Sequence, residues 1–146
     1  MKQKITGILL AVLLCLSAVL PGCAADGFAD EYYRANDSAG LLSYEEEQAL
    51  NEKLDEISVR QKMDVTLITV DGLNGYSVSD YAEQVYEYCN FGYGSDKDGV
   101  LLLISMEDRD WYMATHGYGI TAFTDAGIEY IGEQIKPDLS DGNYSE

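Results

Sequence analysis

The chain reads as a small α/β domain, a mixed β-sheet flanked by helices with a βαββα core. Two strand-like runs, Asp64–Val70 (DVTLITV) and Val100–Met106 (VLLLISM), are separated by a helical stretch. A third short run follows the second after a polar turn. Helix-capping signals stand before the first strand and after the last. A strand, a helix and a strand in one layer imply a parallel crossover, and the following hairpin adds an antiparallel strand.

The elements follow in order. Asp26 to Asn36 is a polar, aromatic lead-in, and Asp37-Ser38-Ala39-Gly40-Leu41-Leu42 precedes the first helix. Ser43 with Glu46 three residues on is a capping box. Glu45, Glu46 and Glu47 fall in the first turn, where the helix dipole favours negative charge. Ala49, Leu50, Leu54 and Ile57 supply one apolar face, and the helix is expected to end near Gln61. After the strand, Gly72 to Gly75 turns the chain. A second helix is predicted from about Ser77 to Cys89, with Tyr81, Val85 and Tyr88 inward. Asn90 to Gly99 (NFGYGSDKDG) is a glycine- and aspartate-rich loop. Val100–Met106 is apolar on both faces, as a covered central strand requires. Asp108-Arg109-Asp110 makes a hairpin turn, and Trp111 to Thr115 the return strand. Gly117-Tyr118-Gly119 breaks that strand. Thr124 or Asp125 caps a last helix from Ala126 to Lys136, which Pro137 is expected to close.

The 146-residue length allows one domain. Residues 1–25 carry a secretory signal: Lys2 and Lys4, an apolar run from Ile5 to Leu20, then small residues. The run is shorter than the roughly 20 residues of a spanning helix. Leu20-Pro21-Gly22-Cys23 resembles a bacterial lipobox, with Cys23 the lipidated residue, although Pro21 is unusual at its place. Gly22-Cys23-Ala24 also suits ordinary cleavage. The expected location is therefore outside the cytoplasmic membrane, lipid-anchored on its extracellular face or secreted, with any membrane association through the N-terminus.

The formal net charge is −17, and all 26 acidic residues lie from Asp26 onward. Beyond the signal, 7 basic residues face 26 acidic ones, a balance of −19. Such a domain repels nucleic acid and anionic lipid, and suits divalent cations or cationic partners. Cys15 and Cys23 fall in the signal, which leaves Cys89 alone in the mature domain. No disulfide framework or CxxC metal site is expected, and Cys89 reads as a small buried apolar residue.

The aspartates are the candidate site. Asp96 and Asp98 lie in the loop entering the central strand, Asp125 at a helix start and Asp37 before the first helix. Loops of an α/β layer can converge at one sheet edge, and carboxylates on loops suit a hard cation such as Ca²⁺. Each aspartate also has a plain structural reading as a cap or turn former. Asp96-Lys97-Asp98-Gly99 is not an EF-hand, because its ligand pattern stops short and no glutamate falls at the twelfth position. It precedes a strand, whereas an aspartate-nucleophile phosphatase signature follows one. His116, the single histidine, reads as structural or surface, with general acid–base work the less favoured role. No triad pattern accompanies any serine, and no glycine-rich loop leads into a lysine and a helix. Among the 12 tyrosines, Tyr81, Tyr86, Tyr88 and Tyr130 fall in helices and can serve the core, while Tyr32, Tyr33, Tyr93 and Tyr118 flank loops.

Four stretches together resemble the TPM domain family: Asp37 to Ser43, Asp98 to Leu103, Asp108-Arg109 with Gly117-Tyr118-Gly119, and Thr124-Asp125-Ala126. Their order and spacing fit that family across about residues 33–146. The family often carries Asp-Asn-Gly where this chain has Lys97-Asp98-Gly99. It also continues into a further helix, so residues 37–146 are expected to form a TPM-like domain truncated at its last helix. The resemblance implies divalent-cation binding at an acidic loop cluster, with Asp37, Asp96, Asp98 and Asp125 as candidate ligands. It implies an accessory or interaction module in membrane-protein assembly or maintenance, its partners membrane proteins or envelope components. The alternative it implies is a weak metal-dependent acid phosphatase.

Overall fold

The computed structural model describes residues 33–144. The signal, Cys15, Cys23, most of the lead-in and Tyr32 lie outside the described residues. The elements are β1 (Ala35–Asp37), α1 (Tyr44–Gln61), β2 (Asp64–Val70), α2 (Val78–Tyr88), β3 (Gly99–Ser105), β4 (Asp110–His116), α3 (Gly119–Ala122) and α4 (Asp125–Asp141). One four-stranded sheet runs in the order β1-β2-β3-β4. β1 and β3 both lie parallel to β2, and β4 returns antiparallel to β3. The mixed α/β architecture is the one the strand–helix–strand–hairpin pattern predicts.

Three differences have physical causes. β1 lies in polar sequence without a strand pattern, and its three residues are ordered by pairing Ala35, Asn36 and Asp37 with Leu67, Ile68 and Thr69. Gly119–Ala122 winds into a short helix where only a break was expected. α4 runs through Pro137 to Asp141 instead of stopping there. Gly142 ends it in the left-handed conformation (φ 79°), its N–H donating to the Asp138 carbonyl.

The core lies between α2 and one face of the sheet. Tyr81, Ala82, Val85 and Tyr86 from α2 pack with Ile68 and Val70 of β2, Leu101 and Leu103 of β3, and Ala114 of β4. β3 is buried along nearly its whole length, as its unbroken apolar run requires. Tyr88, expected inward, is 55% exposed, because it stands about a quarter turn from the centre of the buried face. Tyr130 is likewise exposed.

α1 packs against β1 and β2. Leu50, Leu54 and Ile57 are half-buried, Ala49 is exposed, and the fully buried position is Ser58. The Ser58 hydroxyl accepts from the Val65 N–H at 2.9 Å, tying the helix to the start of β2. The capping box forms as predicted, with Ser43 accepting from the Glu46 N–H and Glu46 from the Ser43 N–H. Cys89 is the C-cap of α2, half-buried and packed against the core cluster. Among the described residues no helix is long and apolar enough to cross a membrane.

Candidate functional site

The parallel strands give the sheet two chemically different edges. At the carboxyl ends of β1–β3, Asp37 is built into the structure. Its carboxylate accepts from the Leu42 N–H at 2.7 Å and from the Thr69 hydroxyl, and its own N–H donates to Glu47 at 2.9 Å. On the same edge, Asp108 accepts from the Ser105 hydroxyl at 2.7 Å and the Leu73 N–H at 2.9 Å. It thereby joins the β3–β4 turn to the turn leading into α2. These two hydrogen bonds, the Ser105 hydroxyl foremost, hold the Asp108 carboxyl below its ordinary value.

The opposite edge holds Asp96 and Asp98. Residues 92–98 form a tight turn closed by the Tyr93–Asp98 bridge, with Gly92, Gly94 and Lys97 at positive φ. Lys97, a non-glycine at φ 56°, is held there by its ammonium on Asn90 Oδ1 at 2.7 Å and by its carbonyl, which accepts from the Tyr86 hydroxyl at 3.0 Å. Asp98 Oδ1 accepts from the Tyr118 N–H at 2.6 Å, bridging to the loop after β4. Gly117 sits between them. A Cβ there would fall 2.2 Å from Asp98 Oδ1 and 2.8 Å from the Asp96 carbonyl oxygen, so both oxygens pack against the Gly117 backbone and leave no room for a side chain.

The structure therefore brings Asp96 and Asp98 together and separates them from Asp37. Asp37 is level with Thr69 and Ile104 near the far end of β3, whereas Asp98 precedes Gly99 at its start. Six residues of strand put about 20 Å between them. Asp125 opens α4 beside Trp111, Tyr112, Met113 and Thr115 along the flank of β4. Thr124, not Asp125, is the cap, its hydroxyl accepting from the Gly127 N–H at 3.3 Å. Among the described residues no three His, Cys, Asp or Glu side chains stand together as a ready-made metal cage. The Asp96 carbonyl and the Asp98 carboxylate, both beside Gly117, are hard oxygen donors of the type that Ca²⁺ takes.

Two groups on this edge were not legible as partners in the sequence. Asp64, its side chain only 4% exposed, receives Arg34 Nε at 2.9 Å and the Gly92 N–H at 2.8 Å. Arg34 also bonds Asp55 of α1. This buried pair anchors the lead-in and the base of the 92–98 turn together. His116 ends β4 with Nε2 2.8 Å from Glu83 of α2, its ring stacked on Tyr86 at 3.9 Å and 8°. Burial, and after it the negative charges of Asp64, Asp98 and Glu83, push the Tyr86 hydroxyl far above its ordinary value. His116 is thus a bracing group with a carboxylate partner, in line with its structural reading. Pairs this far apart in sequence leave no local signal.

A four-stranded mixed-sheet α/β domain with a loop-borne acidic edge is the class these features define. A family model describing the TPM domain matches residues 35–146, and the chain belongs to that family. Solved structures share the fold. The N-terminal domain of a P. gingivalis protein is 25% identical, with a TM-score of 0.69, covering 81% of this chain and 76% of that one. The N-terminal domain of a Corynebacterium glutamicum protein is 14% identical with a TM-score of 0.60, covering 83% and 76%. The BA42 protein of the psychrophilic bacterium Bizionia argentinensis is 18% identical with a TM-score of 0.58, covering 71% of each chain. No curated protein matches the chain.

Proposed function

We propose that this chain is an exported TPM-domain protein held near the membrane, where a divalent cation bound at the Asp96–Asp98 loop tunes its interaction with membrane proteins or envelope components. The observation that carries the reading is the placement of the Asp96 carbonyl and the Asp98 carboxylate on one loop beside Gly117. Export rests on the Lys2, Lys4, apolar-run and Cys23 pattern of the first 25 residues. Within this reading Asp37 acts on the opposite edge as a structural acceptor, and Asp125 serves the first turn of α4.

Calorimetric titration of the full chain with CaCl2 tests the site. Saturable binding that is lost in Asp98→Asn and kept in Asp37→Asn supports it. Binding unchanged in Asp98→Asn sinks it. Assaying the same proteins for Ca²⁺-dependent hydrolysis of an aryl phosphate separates a binding module from the phosphatase alternative. Turnover lost in Asp98→Asn would favour the enzyme. Fractionation of cells carrying the full chain or Cys23→Ala tests anchoring, since loss of the lipid should release the protein from the membrane.

A further inference from the structure

The two edges of the sheet are finished differently. At β1, the outward N–H groups of Ala35 and Asp37 are taken by α1, through Asn51 Oδ1 at 3.2 Å and Glu47 Oε1 at 2.9 Å. β4 is the other edge. Its 7 residues pair one-to-one with β3, from Asp110 opposite Ser105 to His116 opposite Gly99, so no bulge twists the edge away. The strand (DWYMATH) contains neither proline nor lysine, two residues that blunt exposed edges.

Backbone directions in β3 show which groups of β4 face outward. The Asp98 carbonyl accepts from the Asp64 N–H, and the Met106 N–H donates to the Val70 carbonyl. Even-numbered residues of β3 therefore point at β2, and Gly99, Leu101, Leu103 and Ser105 point at β4. Those four lie opposite His116, Ala114, Tyr112 and Asp110. The N–H and C=O groups of Trp111, Met113 and Thr115 thus face away from the sheet. The Asp110 carboxylate caps the Trp111 N–H at 2.9 Å. Among the described residues, nothing accepts from the N–H of Met113 or Thr115.

A cleft of about 380 Å³ runs along this open edge, between β4 and the first turns of α4. Gly132 lies against the Trp111 ring, which places α4 on the face that carries Trp111, Met113 and Thr115. From α4 the cleft receives Ile128 and two exposed carboxylates, Asp125 and Glu129, and no cation lines it. Arg109 and Lys136 border the hairpin end instead.

We infer that β4 receives an extended, basic segment of a partner protein, which adds to the sheet as a further strand. Its backbone bonds Met113 and Thr115. Side chains level with those two residues project on the α4 side, so lysine or arginine at alternate positions meets Asp125 and Glu129. A second copy of this chain is the poorer occupant, because two chains of net charge −17 repel each other.

The test adds an acetylated, amidated heptapeptide of alternating lysine and valine to the full chain. No Ca²⁺ is present, so this inference and the cation reading fail separately. One control peptide carries glutamate in place of lysine. The other is N-methylated throughout, which keeps the charge and removes the donors. Trp111, the single tryptophan, reports binding by its emission, and amide hydrogen exchange reports Met113 and Thr115. The expected result is saturable binding of the lysine peptide, with exchange at both amides slowed at least about tenfold. Both controls should bind at least about tenfold more weakly. Glu129→Lys should weaken the lysine peptide about fivefold while far-ultraviolet circular dichroism stays unchanged. Equal binding of the N-methylated peptide overturns the inference, since charge alone then suffices. Without peptide, exchange at the two amides that slows as protein concentration rises overturns it in favour of a second copy. No response to the lysine peptide overturns it outright.

Discussion

Single side chains fix the geometry of the acidic edge. Gly117 (φ 54°) combines a left-handed backbone with a Cβ position already taken by Asp98 Oδ1. Gly117→Ala should therefore cost about 1–3 kcal/mol in urea unfolding and weaken any cation binding by moving the Asp98 carboxylate. Tyr86 is held neutral in the fold, mainly by burial, while the unfolded chain ionises near the ordinary value of 10.0. A raised folded value means that the stabilisation is intact below about pH 10 and is lost as pH climbs above it. Tyr86→Phe should flatten that alkaline decline, and should cost about 1 kcal/mol at neutral pH through loss of the bond to the Lys97 carbonyl. Asp108 works in the opposite sense. Its lowered folded value contributes stability above the ordinary 3.8, lost as pH falls below it. Ser105→Ala removes the largest cause, so the slope of stability against pH in the acid limb should become shallower in urea titrations.

Among the elements, β3 and α4 stand at opposite limits. β3 is paired on both sides and buried on both faces, and Leu103→Ala should cost about 2–5 kcal/mol. α4 makes no extensive contact with the other elements and meets the sheet where Gly132 lies against the Trp111 ring. A Cβ at Gly132 would come within 2.3 Å of Trp111 Cζ2, so Gly132→Ala should lift α4 and shift Trp111 emission to the red. Hydrogen exchange should run fastest in α4 among the long elements and slowest in β3. Pro137 deprives α4 of one helical hydrogen bond. Pro137→Ala should slow exchange in its last turns and stabilise the helix by up to about 3 kcal/mol. α1 depends more on its ends. Ser43→Ala breaks both halves of the capping box and should cost about 1 kcal/mol.

For the whole molecule, charge is the dominant long-range term. A net −17 on the chain, −19 beyond the signal, sets acidic groups against one another in the compact state. Raising NaCl from about 10 mM to about 300 mM shortens the Debye length from about 30 Å to under 10 Å and should raise the thermal midpoint. If the Asp96–Asp98 loop holds Ca²⁺, CaCl2 at matched ionic strength should raise it further, and the extra increment should vanish in Asp98→Asn. Differential scanning calorimetry separates the two effects.

Local signals were enough to place the long elements. Ser43 with Glu46, the β-branched run of β2, the two-faced apolar run of β3 and the cap at Thr124 each act within a few residues, where propensity and capping operate. The period of α2 placed Tyr81 and Val85 correctly, but the width of the buried face decided against Tyr88. β1 was invisible, because its three polar residues become a strand only by pairing with β2. The same limit applies to the site. That Asp96 and Asp98 share a loop is a fact of sequence. That Asp37 stands about 20 Å away follows from β1 running parallel to β3, and strand direction is settled by pairing across the sheet. The Arg34–Asp64 and Glu83–His116 pairs join residues 30 and 33 positions apart. The sequence by itself determined the elements, the charge and the family resemblance, because those depend on neighbouring residues and composition. Which aspartates share an end of the sheet is set by the fold, because contacts between distant residues form when the sheet closes and brings their strands together.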